Sequence, residues 1–76
     1  MTNIQVAEHL HALAQSLMTD AEALEGSARL AQENLAALDF YCRVRSRMTN
    51  IERLGKAIGK REAVEAILAL AKEVLE

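Results

Sequence analysis

The sequence predicts an all-α protein: a helical hairpin plus two shorter C-terminal helices, assembled as a homodimeric helical bundle. Three observations carry this expectation. Proline is absent, only three of the 76 residues are glycine, and alanine, leucine and glutamate dominate, a mixture that favours helix along the whole chain. Apolar residues recur at spacings of three and four, the period of a helix with one buried face. Ser27 to Arg47 shows two apolar stripes instead of one: Ala28, Ala31, Leu35, Leu38 and Cys42, then Leu30, Ala37, Tyr41 and Val44 with Met48 beyond. A helix apolar over that much of its circumference needs neighbours on two sides.

The first helix is expected at about 3–25. Thr2-Asn3-Ile4-Gln5 reads as a capping box, the Thr2 hydroxyl accepting from the amide three residues on while Gln5 reaches back. Ala7, Leu10, Ala14, Leu17, Ala21 and Leu24 then alternate Ala and Leu on a strict heptad, which lets two helices approach closely. Gly26-Ser27 reads as a stop followed by an N-cap. The heptad nevertheless runs in phase across it, so a single bent helix of about forty residues is the competing reading. The tight turn is preferred, because glycine and serine together are poor helix-interior residues.

The second helix is expected at about 27–47. Asn34 and Arg45 face its apolar arc; a local hydrogen bond at the stripe edge is expected for Asn34, and snorkelling near the helix end for Arg45. Thr49-x-x-Glu52 is a second capping box, placing a third helix at about 50–59 with Ile51, Leu54 and Ile58 as its apolar edge. The last helix, about 61–75, carries Val64, Ile67, Leu68, Ala71, Val74 and Leu75. Its stripe is out of phase with Ile51–Ile58, which predicts a break at Gly59-Lys60.

Seventy-six residues make one domain, and so short a chain buries only about 60% of the surface its unfolded form exposes. Disulfides, metals or association usually make up the difference. Cys42 is the only cysteine, so no intrachain disulfide forms, and no His/Cys spacing suggests a metal site or cofactor. Association with a second copy or with another protein is left. No run is apolar and long enough to span a bilayer, and the N-terminus lacks a basic-then-apolar signal. A cytoplasmic protein with no membrane role is expected.

The net charge of −2 conceals strong segregation. Residues 1–42 carry one basic and six acidic residues, residues 43–61 seven basic and one acidic, and residues 62–76 one basic and four acidic. Such blocks bear on partners more than on fold. Arg43, Arg45, Arg47, Arg53, Lys56, Lys60 and Arg61 form the basic block. They are candidates for contact with nucleic acid or an acidic protein surface, or they balance the acidic segments within the fold.

Nothing points to catalysis. His9 and His11 lie two apart and diverge on a helix, whereas helical metal pairs sit three or four apart. Cys42 is expected as a small apolar filler on the core stripe. Gly55 to Lys60 lacks the spacing, the following Ser or Thr and the preceding strand of a phosphate loop. Ile51 to Leu68 partly resembles a helix-turn-helix, but Lys60 occupies an apolar turn position and Glu62, Glu65 and Glu73 would repel phosphates. The expected function is non-catalytic: a small adaptor, inhibitor or chaperone-like protein that binds itself and a protein partner. Phe40, Tyr41, Arg43, Val44 and Arg47 are the expected contact, since aromatic residues and arginine concentrate at interface hot spots. Nucleic-acid binding by residues 43–61 is the alternative, weakened by the lack of aromatics to stack bases.

Overall fold

Alanine at every seventh residue decides how this chain folds. Ala7, Ala14, Ala21 and Ala28 are all buried, and Leu35 continues the same spacing. Asn50, Ala57, Val64 and Ala71 repeat it in the second half. Side chains this small let two helices run in close contact. The computed structural model describes all 76 residues and consists of α1, Asn3–Glu33, and α2, Phe40–Leu75, joined through a short 3-10 turn at Leu35–Ala37. The helices lie antiparallel in a hairpin 56 Å long and 14 Å across.

A single buried hydrogen bond fixes the register. Asn50 Nδ2 donates to the Ala28 carbonyl at 3.1 Å, and Asn50 Oδ1 accepts from Arg53 Nη1. One heptad further on, the same register sets Ala21 against Ala57, then Ala14 against Val64, which line one hollow, and Ala7 against Ala71. A half-buried second row flanks this seam: Leu10, Leu17, Leu24 and Ala31 on α1, and Ser46, Arg53, Lys60, Ile67 and Val74 on α2. The α2 seam is thus polar toward the turn and apolar toward the termini. Arg53 and Lys60 cover apolar seam with their stems and keep their charges near water.

The expected capping box opens α1: Gln5 N–H donates to Thr2 Oγ1 at 3.2 Å, and Thr2 N–H to Gln5 Oε1 at 2.9 Å. The four-helix segmentation is corrected at three points. The chain does not turn at Gly26-Ser27, because α1 continues to Glu33. Gly26 and Ser27 lie off the seam, and breaking there would forfeit the burial of Ala28 and Leu35. The bent forty-residue rod is equally absent, since the chain reverses at Asn34. There Asn34 Nδ2 donates to the Leu30 carbonyl at 2.8 Å, the local hydrogen bond expected of it. The expected 27–47 helix is therefore the end of α1, the turn and the start of α2.

Thr49 starts nothing. It lies inside α2, its hydroxyl donating to the Arg45 carbonyl, a back-bond that a helix interior tolerates. The helix start is Asp39, whose carboxylate accepts from Cys42 N–H at 2.8 Å. No break occurs at Gly59-Lys60, where Ala57 and Val64 are buried on either side. The phase difference between Ile51–Ile58 and the last helix is real but has another cause: the two sets occupy different faces of one helix. Val64, Ile67, Ala71 and Val74 face α1, whereas Ile51, Leu54 and Ile58 face away from it.

Candidate protein-binding face

The outward side of α2 is where the chain departs most from a self-contained hairpin. Phe40 is 76% exposed, Tyr41 67% and Ile51 70%, and Val44, Met48, Leu54 and Ile58 are exposed with them. At about 100° per residue these seven side chains fall on one side of α2, in a stripe about 27 Å long at 1.5 Å per residue. Their own chain does not cover them because α1 meets α2 on the other side, along the alanine seam. Neighbouring α1 positions on this side are Glu22, Glu25 and Arg29, which rim the stripe with charge.

Phe40, Arg43, Val44 and Arg47, four of the five expected contact residues, line a hollow of about 200 Å³. Tyr41, the fifth, adjoins it in a second hollow with Val44, Arg45, Met48, Thr49 and Glu52. The Arg45 guanidinium lies 5.9 Å from the centroid of the Tyr41 ring, within cation–π reach. Met48 continues the stripe of Tyr41 and Val44 as expected, whereas Ile51, Leu54 and Ile58 belong to this face and not to a separate helix. Their spacing from Val44, at 44, 51 and 58, was the signal, but a helix boundary placed at residue 49 conceals it.

The basic block is spread along one continuous helix, α2. Two of its members balance charge within the fold. Arg61 grips Glu25 with two bonds, at 2.6 and 3.0 Å, and its third nitrogen reaches Met18 Sδ. Lys60 lies 3.5 Å from Asp20. The hydrogen bond from Arg61, aided by its charge, holds the Glu25 carboxyl below its ordinary range. Arg53 is tied to Asn50. Arg43, Arg45, Arg47 and Lys56 meet no carboxylate within 4.0 Å and, at helical spacing, project to different sides of α2.

Cys42 is exposed, not a core filler, because the turn falls at Asn34 and removes residues beyond Leu35 from the α1 stripe. Asp39 holds its thiol pKa above the ordinary value, first by accepting a hydrogen bond from it and then by charge, outweighing Arg45. The thiolate is the nucleophilic form, so this environment suppresses cysteine chemistry. Cys42 N–H in turn holds Asp39 below its ordinary carboxylate value. No three His, Cys, Asp or Glu side chains come together as metal ligands, and no helix is long and apolar enough to cross a membrane.

The chain matches no protein-family model, no curated protein and no solved structure. Its chemistry has to be read from this face: a flat, apolar, helical surface with two aromatic rings at one end and cations beside it.

Proposed function

We propose that this chain is a non-catalytic helical protein that works by association, using the outward face of α2 to bind and sequester or regulate a protein partner in the cytoplasm. The observation that supports this reading is the stripe from Phe40 to Ile58, seven large apolar side chains left exposed. Contiguous apolar surface on this scale marks an interaction site. Phe40 and Tyr41 supply rigid area at the turn end, and Arg43 and Arg47 lie beside them, the residue types that dominate interface energetics. An apolar helix laid along the stripe is the geometry that fits it.

Photo-cross-linking tests the reading. A benzophenone side chain at residue 44 or 51, within the stripe, is expected to give a discrete protein adduct in the native cell. Phe40→Ala/Tyr41→Ala should remove that adduct, and probes at exposed Ala23 and Ala66, outside the stripe, should give none. Equal labelling from all four positions would sink the proposal.

Nucleic-acid binding is the second reading, favoured by the five basic-block cations without carboxylate partners, Arg43, Arg45, Arg47, Arg53 and Lys56. Their divergence around α2 makes them a poor track for phosphates. If that reading held, affinity for DNA or RNA would fall log-linearly with salt, with a slope set by the phosphates neutralised; capture by the apolar stripe would barely respond.

A further inference from the structure

The broad side of the hairpin opposite the stripe carries a second pattern. The Lys60–Asp20 pair bridges α1 and α2 there, and at heptad spacing the rows beside that pair divide into two halves. Toward the termini the side is apolar: Leu10, Leu13 and Leu17 of α1 lie beside Ile67, Leu70 and Val74 of α2. No charged residue falls in these rows from Val6 to Leu17 or from Ala63 to Val74, a length of about 17 Å at 1.5 Å per residue. Leu13 and Leu70, on the outer rows, are 49% and 48% exposed, and Leu10, Leu17, Ile67 and Val74 are half-buried between them. The result is a shallow apolar trough along the join of the two helices. Toward the turn the same rows hold Arg53, Lys56 and Lys60, with Asp20 as their one acid.

Arg53 and Lys60 stand on the inner row, the same heptad row that Ile67 and Val74 fill nearer the terminus. Cations there give up seam burial that aliphatic side chains would gain. Their own chain offers little in return: Lys60 lies 3.5 Å from an Asp20 side chain that is 56% exposed, and Arg53 meets only the amide of Asn50.

We propose that this trough docks an amphipathic helix of another protein, apolar over about three turns and acidic over the next two. One helix seated in the groove between two others is the packing of small bundles, and acids on the charged half of the incoming helix meet Arg53, Lys56 and Lys60. A second copy of this chain fits poorly here. Turned end for end, it sets Lys56 and Lys60 over Ile67 and Leu70; aligned, it sets two halves of three cations and one acid against each other, which is unfavourable. A bilayer surface fits poorly too, because the apolar half has no lysine or arginine in its rows to meet lipid phosphates. The trough and the stripe lie on opposite sides, so neither reading depends on the other.

Fluorescence anisotropy with two labelled synthetic peptides tests the proposal on the intact chain. Both peptides are helical, with leucine and alanine on one face for three turns; over the next two turns that face carries glutamate in one and lysine in the other. The glutamate peptide is expected to bind at least about tenfold more tightly, since each of three exposed pairs contributes up to about fivefold. Lys56→Glu, at an exposed position, should shrink that preference by about fivefold. Leu13→Gln/Leu70→Gln, also exposed and therefore compatible with a folded hairpin by circular dichroism, should weaken the glutamate peptide by roughly tenfold. Phe40→Ala/Tyr41→Ala should leave it unchanged, which separates this result from the fate of the stripe. Equal affinity for the two peptides, no affinity for either, or binding that survives Leu13→Gln/Leu70→Gln would overturn the proposal. So would a dimer that Leu13→Gln/Leu70→Gln dissociates, or tighter binding to phosphatidylglycerol vesicles than to the glutamate peptide through these same residues.

Discussion

Replacing Ala21 by leucine probes the hairpin where it is tightest. Ala21 has no exposed surface, and Ala57, which the register sets against it, has 1%. Leucine adds three carbon atoms where the helices already touch. The seam has no cavity to receive them, so α1 and α2 must separate at mid-length and uncover Ala14, Ala28 and Val64 on either side. Overpacking of this kind costs about 1–3 kcal/mol, and in a domain this small each kcal/mol moves the melting temperature by roughly 4–8 °C. Ala21→Leu should therefore melt roughly 5–20 °C below the parent chain, followed by far-ultraviolet circular dichroism at fixed protein concentration. Ala23→Leu, exposed and two residues away on the same helix, should stay within about 0.5 kcal/mol of the parent. Adding Ala57→Gly to Ala21→Leu should recover part of the loss, since touching residues couple. An Ala21→Leu protein that melts with or above its Ala23→Leu control would show that the alanine seam is not where the helices meet.

Other expectations follow from the same geometry. Asn50→Ala removes the bond to the Ala28 carbonyl and should destabilise the hairpin by about 1 kcal/mol in chemical denaturation; an unchanged midpoint would mean the bond does not form. Gly26→Ala should stabilise by about 0.5–1 kcal/mol, since nothing lies within 4 Å of the added carbon; a loss would restore the turn at Gly26-Ser27. Glu25 and Asp39 are both held below their ordinary values of 4.5 and 3.8, so the unfolded chain takes up their protons first. Their stabilising contribution is present above those values and lost as pH falls through the lower folded-state values. Asp39→Asn, which keeps an N-cap acceptor without the titration, should flatten that acid limb, and an unaltered limb would count against the cap.

Much of the fold was legible wherever local chemistry and long-range packing agreed. The Thr2–Gln5 box, the Ala7–Ala28 heptad and the local bond of Asn34 all follow from helix period and side-chain reach. Misreading began where the two disagreed. Gly26-Ser27, Thr49-x-x-Glu52 and Gly59-Lys60 each carry a real local signal for a helix boundary, of about 1 kcal/mol at most for a residue of low propensity. Burial of Ala28, Leu35, Ala57 and Val64 against the opposite helix outweighs each of them. The true turn lacks glycine, and its helix start at Asp39 is plain only once the chain is known to reverse there. Two faces on α2, one toward α1 and one away, give two apolar phases, a pattern that two separate helices would also produce. The site divides in the same place: Phe40, Tyr41, Val44 and Met48 are legible as one stripe, while Ile51, Leu54 and Ile58 lie beyond the helix boundary that Thr49-x-x-Glu52 signals.

The most direct test of whether the outward face of α2 meets another polypeptide is photo-cross-linking from residue 51 in the native cell, in the parent chain and in its Phe40→Ala/Tyr41→Ala variant. The account predicts a discrete adduct heavier than the 8.4 kDa chain from the first and none from the second. A probe that leaves the parent chain at its own mass, or that labels from both chains alike, would contradict the account.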